Sequence, residues 1–258
     1  MNDDRLYHIG FGRGDLGAMP PTLALLSGDP NRATSIARRF LSGARTLSEN
    51  RGLNSYVGAL PAGKMIVSAT SGMGAPSMSI VVNELVQAGF RTIIRIGTCG
   101  SIQSRVRAGH VVISSAALCR QGAANDIAPV DYPAAADPFV TVALAQAAQR
   151  LGVPFAVGIT ASMDTFFEGQ ERSLSSANPV LLRKLRGQTD EFRSLNILNY
   201  EMEAGTLFKM AGVYGFRAAC ICGVIAQRTE GEAVVVEQKT VAVENAIRVA
   251  LDAAEQFA

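Results

Sequence analysis

The sequence predicts one α/β domain spanning residues 1–258, built around a largely buried sheet. Three observations predict it. Short β-rich apolar runs alternate with helical patterns along the whole chain, the pattern of a sheet with helices on its faces. Glycine-rich turns mark the junctions, and no internal repeat, low-complexity tract or convincing linker divides the chain.

Residues 23–26 read as a strand followed by the turn Ser27-Gly28-Asp29-Pro30. A helix is expected over 30–40, with Asp29 as its cap and proline at its first position, where a missing N–H costs nothing. Residues 65–69 form the next strand, then the tight loop Ser71-Gly72-Met73-Gly74-Ala75 leads into a helix over 76–87 that Gly89 stops. A strand over 92–96 ends in a loop, Gly97-Thr98-Cys99-Gly100. Further strands are expected at 110–116 and 156–161, with an amphipathic helix over 138–150 between them. A short strand precedes a helix over 203–214, residues 218–225 form a buried strand, and a long helix over 236–257 follows. Residues 168–193 are polar and weakly periodic, the signature of a functional loop. In open α/β sheets ligands collect at the carboxyl ends of strands, where the glycine loops after Leu26, Ala69 and Ile96 sit.

Hydrophobic residues make up 48% of the chain and charged residues 18%, with a mean hydropathy of +0.19. So little charge points to apolar surface hidden between subunits, hence a homo-oligomer. A net charge of +2 and no basic run exclude an electrostatic partner such as nucleic acid or an anionic membrane. The apolar runs break well short of a bilayer span. Cys99, Cys119, Cys220 and Cys222 form no Cys-x-x-Cys pair and read as free thiols of a reducing compartment. Two histidines, His8 and His110, are too few for a histidine-rich zinc centre. The polar start lacks the core of a signal peptide. A cytoplasmic enzyme is expected.

The informative positive charges are individual arginines. Arg32 lies just inside the helix that Gly28-Asp29-Pro30 opens, where N–H groups and a guanidinium fork suit a phosphate-sized anion. Taken alone it reads rather as a solvated surface charge behind a helix that Asp29 caps. Arg95 interrupts the apolar run Thr92-Ile93-Ile94-Arg95-Ile96, where burial is costly without a partner: an anionic ligand or a buried salt bridge. Neither glycine loop matches a dinucleotide fingerprint or a Walker sequence, so a bound phosphate would be a free anion. Glu201 and Glu203, in Asn199-Tyr200-Glu201-Met202-Glu203, serve either a helix start or the vicinal hydroxyls of a sugar. Gly169-Gln170-Glu171-Arg172 is either a polar turn or a reader of a planar carbonyl–NH–carbonyl edge, since glutamine donates and accepts while arginine only donates.

The run TASMDTFFEGQER, residues 160–172, resembles the base-binding loop of the uridine phosphorylases, in the nucleoside phosphorylase-I superfamily. The likeness extends over nearly the whole chain through GDPNR, SGMGAPSMS, RIGTCGSI, FFEGQER, NYEMEAGTL and GVIAQRT. Each motif is weak alone; six in order are specific. Purine-directed relatives typically carry an aspartate in the late loop, which here reads Ile225-Ala226-Gln227-Arg228.

The resemblance implies a three-layer α/β/α fold with a distorted mixed central sheet, assembled as a hexamer of dimers with shared active sites. Gly28, Arg32, Arg95 and Thr98 match the family's phosphate site, with Arg51 reaching a neighbouring subunit's site. Met202 and Glu203 match the ribose contacts, and His8, also given by a neighbour, lies near the 5′-hydroxyl. Phe166 is expected to stack on the base while Gln170 and Arg172 read its edge. Phe167, Tyr200, Glu201, Ile225 and Arg228, with Thr98 and Gly100, shape or order the nucleoside pocket. Family members holding a monovalent cation at the dimer interface use a glutamate directly after the equivalent of Arg51; here that residue is Gly52, and Ser77 alone retains a ligand. No metal and no cofactor is therefore expected. The implied reaction is phosphorolysis of uridine to uracil and ribose 1-phosphate. The alternatives are a purine or 5′-methylthioadenosine phosphorylase, a hydrolytic nucleosidase on the same fold, and a non-catalytic nucleoside-binding protein.

Overall fold

A computed structural model describes residues 4–258. The strands are β1 Leu23–Ser27, β2 Ser42–Ser48, β3 Ser55–Ala59, β4 Met65–Thr70, β5 Thr92–Ser101, β6 Val111–Arg120, β7 Phe155–Met163, β8 Asn199–Glu201 and β9 Arg217–Gln227. The helices are α1 Pro30–Phe40, α2 Ala75–Gln87, α3 Gly122–Ile127, α4 Pro138–Arg150, α5 Gln188–Ser194, α6 Ala204–Tyr214 and α7 Val236–Ala254.

All nine strands join one sheet in the order β2-β3-β4-β1-β5-β8-β7-β6-β9. The β1 pairings with β4 and β5 are parallel, while β3–β4 and β6–β9 are antiparallel, so the sheet is mixed. Its distortion has a specific cause: β5 also pairs with β9 in parallel, closing β5, β8, β7, β6 and β9 into a ring.

Side-chain alternation along the strands builds two apolar layers. Ala24, Leu26, Ile93 and Cys220 face a cluster that Met78, Val82 and Leu85 of α2 and Leu207 and Phe208 of α6 complete. Leu23, Leu25, Ile94 and Ile221 face the opposite cluster, with Ile36 of α1, Leu144 of α4 and Ile247 of α7. Each such leucine or isoleucine contributes about 1.5–3 kcal/mol on burial. The result is α/β/α in three layers.

The expected helices over 30–40 and 138–150 appear with those bounds, capped by Asp29 and Asp137. Three differences matter. Gly97-Thr98-Cys99-Gly100, expected as a loop, is strand, because β9 runs beside it from Gly97↔Cys222 to Cys99↔Val224 before a bulge at Gly100. The late segment from Ile225 is likewise strand up to Gln227. Strands β2 and β3 were not foreseen: β2 is a largely exposed edge without apolar alternation, and β3 has only five residues. Within 168–193 the chain forms a 3-10 turn at Arg183–Leu185 and the start of α5.

Candidate active site

A cavity of about 480 Å³ opens where β1, β5, β8 and β9 end, and Gly28, Arg32, Arg95, Thr98, Gly100, Phe166, Gln170, Arg172, Glu201, Met202, Glu203 and Ile225 all line it. These residues come from five separate stretches of sequence. Only the parallel packing of β1, β5 and β9 brings their ends together.

Arg95 occupies one end. Its Nε donates to Glu201 at 3.3 Å and its Nη2 to Glu203 in a short bond, so the buried salt bridge exists. Its Nη1 is buried without a partner among the described residues. Burial pushes this guanidinium down, but Glu203 and Glu201 outweigh it and hold Arg95 firmly protonated. Arg32 donates through Nη1 to the Ile96 carbonyl at 2.9 Å, and its Nε is likewise buried and unpaired. Burial, then the charge on Arg95, push the Arg32 guanidinium down. Two guanidiniums whose charges act on each other, each with an unmet donor, can together receive an anion. The helix contributes less than its position suggests: Asn31 N–H is held by the Asp29 carboxylate at 2.9 Å and Arg32 N–H by the Asp29 carbonyl at 3.1 Å. Gly28 keeps the site open, since a Cβ there would stand 3.2 Å from the Gly72 carbonyl oxygen and 3.9 Å from Arg95 Nη1.

Glu203 lines the cavity at the start of α6. One oxygen accepts from Gly74 N–H at 2.6 Å and the other from Arg95. Each carboxylate oxygen retains a further lone pair for a hydroxyl donor. Glu201 differs. Ser162 donates to one of its oxygens in a short bond, and the other takes Glu203 N–H at 2.8 Å, Ala204 N–H at 2.9 Å and Arg95 Nε. Glu201 therefore anchors the first turn of α6 and orients Arg95 from within the wall. Burial raises its carboxyl to about 7, against the pull of Arg95 and with the push of Glu203. Gln121 holds the Met202 carbonyl through a short bond and accepts Thr206 N–H, a positioning role that nothing in the sequence around it announces.

The other end belongs to the stretch 166–172. Gln170 and Arg172 are 2% and 4% exposed, so the segment is no solvated turn. Glu171 between them adopts φ 49, a left-handed conformation that costs a side chain about 1 kcal/mol or more. Its carboxylate offsets this by accepting from Gly187 and Thr189 N–H, both at 2.6 Å. The twist lets Gln170 and Arg172 share one side of the chain, with Arg172 Nε 3.4 Å from Gln170 Oε1. Arg172 also lies 4.1 Å over the Phe166 ring, and Phe166 is 40% exposed. Burial, then Arg228, push Arg172 down to about 10 with Glu232 opposing, which leaves it charged at neutral pH. Arg228 stands behind the wall, donating to the Gln170 and Glu171 carbonyls at 2.9 and 3.3 Å. Gly100 lets the two arginines approach: a Cβ there would lie 3.2 Å from Arg228 Cγ and 3.4 Å from Arg172 Nη2. Phe167 packs edge-on against Phe166. Met73, Cys99, Val234 and Lys239 complete the wall without having been foreseen.

His8 and Arg51 are not part of this cavity. Both sit elsewhere on the chain, with Arg51 Nη2 donating to Tyr7 Oη at 3.1 Å and the Tyr7 ring packed edge-on against His8. Glu84 accepts the His8 and Ile9 N–H groups and lies 2.6 Å from His8 Nδ1, which fixes the ring and leaves Nε2 outward. Ser77 Oγ donates to the Ser71 carbonyl, and Gly52 offers no side-chain oxygen where the resembling family places a glutamate.

Comparison with known proteins places this geometry in context. Residues 22–255 match the phosphorylase superfamily. The chain is 37% identical over 258 residues to the uridine phosphorylase of Salmonella typhimurium, covering 100% of both chains. It is 40% identical over 227 residues to the uridine phosphorylase of Haemophilus influenzae, covering 88% of each. A DeoD-type purine nucleoside phosphorylase of Geobacillus kaustophilus is 31% identical over 249 residues, covering 96% of this chain and 97% of its own. With its three-layer fold, its cavity at the strand ends and these full-length matches, the chain belongs to the phosphorylase superfamily.

Proposed function

We propose that this chain is an enzyme that cleaves uridine by phosphorolysis, releasing uracil and ribose 1-phosphate. One observation carries the reading: a single cavity is lined together by Arg32 and Arg95, each with an unmet guanidinium donor, by Glu203, and by Gln170 and Arg172. The distance between an anion and a base edge is then spanned by a sugar. The likeness to uridine phosphorylases along the whole chain supports the same substrates.

The reaction needs no protein nucleophile and no cofactor. Phosphate held by Arg32 and Arg95, beside Thr98, is aimed at C1′ of the ribose. Arg95 holds phosphate through one edge and Glu203 through the other, so one guanidinium sets the attacking oxygen relative to the carboxylate that takes the sugar hydroxyls. As the C–N bond stretches, positive charge grows on the sugar beside the phosphate, and negative charge grows on the uracil carbonyls beside Arg172. Gln170 fixes the base, Phe166 and Ile225 cover its faces, and the residues behind hold these groups rigid.

Uracil release measured against phosphate concentration, with uridine, inosine and adenosine side by side, tests the reading. Release from uridine is expected to saturate with phosphate, with the purine nucleosides turned over more slowly. Release without phosphate would instead identify a nucleosidase, tight uridine binding without cleavage a binding protein, and faster cleavage of inosine or adenosine a purine enzyme.

His8 and Arg51 complete a neighbouring subunit's cavity in this reading, the chain acting as a homo-oligomer, as a hexamer of dimers in the resembling family. Their placement together outside the chain's own cavity supports this arrangement. The outward Nε2 of His8 binds the 5′-hydroxyl and transfers no proton. His8→Ala is expected to raise the uridine KM roughly fivefold, the worth of about 1 kcal/mol of hydrogen bonding, with kcat little changed. An unchanged KM would remove His8 from the site. A cytoplasmic location fits four unpaired cysteines, and no helix among the described residues is long and apolar enough to cross a membrane.

A further inference from the structure

Glu232 lies in the segment between β9 and α7, sixty residues along the chain from Arg172, and is absent from the cavity wall. Its backbone carbonyl accepts Arg172 Nη1 at 2.6 Å. Its carboxylate accepts Leu174 N–H at 3.2 Å, Ser175 N–H at 2.9 Å and Ser175 Oγ at 2.7 Å. One residue thus grips the base-reading stretch at two points, on Arg172 itself and two to three residues beyond it. Burial pushes this carboxyl up, but the bonds from Ser175 and Leu174 and the charge of Arg228 outweigh it and hold it below the usual range. The Glu232 charge in turn opposes the mutual repulsion of Arg172 and Arg228.

We infer that Glu232 is a positioning residue for base recognition: it clamps the 228–235 segment onto the 172–175 stretch and so sets the direction of the Arg172 guanidinium. Leu174 is 89% exposed and has no apolar packing to hold it. Without the carboxylate the stretch after Arg172 loses three of its anchoring bonds, and Arg172 is left facing Arg228 with less compensation. An aligned cation at the base edge is then one orientation among several, and alignment of donors is what stabilises developing charge.

This inference rests on the proposed uridine reaction, and the test separates the two. Wild type, Glu232→Ala, Glu232→Gln, Arg172→Ala and the Arg172→Ala/Glu232→Ala double variant are assayed with uridine and phosphate varied independently, with melting recorded for each. Absence of phosphate-dependent uridine cleavage in wild type would overturn the reaction itself. Given wild-type activity, Glu232→Ala is expected to lower kcat with uridine about tenfold, leave the phosphate KM within about twofold, and keep its melting midpoint near wild type; Glu232→Gln, which keeps one acceptor oxygen, falls between. In the Arg172→Ala background the second substitution adds little, because the residue acts through the missing arginine. An unchanged kcat with uridine, a phosphate KM raised well beyond twofold, or a full additive penalty in the double variant would each overturn the positioning role.

Discussion

Arg95→Ala is expected to lower phosphate-dependent turnover by at least 10²–10³ and to destabilise the fold by about 3–5 kcal/mol. The first effect follows from the unmet Nη1 donor, which has no substitute at that depth. The second follows from what the side chain leaves behind. Glu201 and Glu203 are 2% and 4% exposed and share this one guanidinium, so its removal leaves two carboxylates buried side by side. For a chain of this size the loss corresponds to a fall in Tm on the order of 10 °C. The damage is also pH-dependent. Burial already raises Glu201 to about 7 with Arg95 present, and loss of Arg95 raises it further. A carboxyl with a raised folded-state pKa favours the fold while protonated, below its unfolded value, and that stability is lost as pH rises through the folded value. The variant is therefore expected to lie closer to wild type near pH 5 than at pH 8. Melting curves at the two pH values check this, and a variant equally destabilised at both would show that the carboxylates are not the cause.

Arg172→Ala is expected to lower kcat with uridine by 10²–10³, about 3–4 kcal/mol of lost stabilisation for the departing base, with the fold intact. The fold survives because the partners left behind tolerate the loss. Glu232 O is a carbonyl in a partly exposed segment, and Gln170 Oε1 is joined to Arg172 only at 3.4 Å. Arg228 even gains, since a like charge beside it is removed. The contrast with Arg95 is informative: both are arginines of one cavity, yet one is a keystone of buried charge and the other is not. Single-turnover rates with uridine, compared with melting, separate the two effects. Near-normal turnover in Arg172→Ala would remove it from the mechanism.

Much of this site was legible in the chain. Arg95 announces itself because a charge inside an apolar strand requires a partner; of the two weighed, the buried salt bridge is present, and Nη1 is left without a partner among the described residues. Arg32 was ambiguous for a good reason. The cap next to it, Asp29, behaves as an ordinary helix start, and only the fold shows that the helix N–H groups are engaged internally while the guanidinium turns inward. The pairing Glu201–Glu203 looked symmetrical in sequence and is not. Both line the cavity, but two positions apart at the entry to α6 Glu201 is taken up by the backbone of the turn while Glu203 keeps lone pairs free beside Gly74 N–H and Arg95. The strand at 97–100 was read as a loop because glycines lack the apolar signature of strands, whereas the neighbouring β9 pairs with their backbone regardless of side chain.

What the sequence by itself determined is local and compositional: which runs alternate as buried strand, where Asp29 starts a helix, and which residue types stand ready to meet an anion, a sugar and a base edge. What only the tertiary structure decided is juxtaposition. The parallel pairing of β1 with β5 sets Arg32 beside Arg95, Glu232 meets Arg172 across sixty positions, and His8 is held at Glu84 outside the chain's own cavity. The reason is that propensity and pattern act over a few residues, whereas the free energy that places these side chains comes from pairing and burial between distant segments, and no local signal encodes which segments will meet.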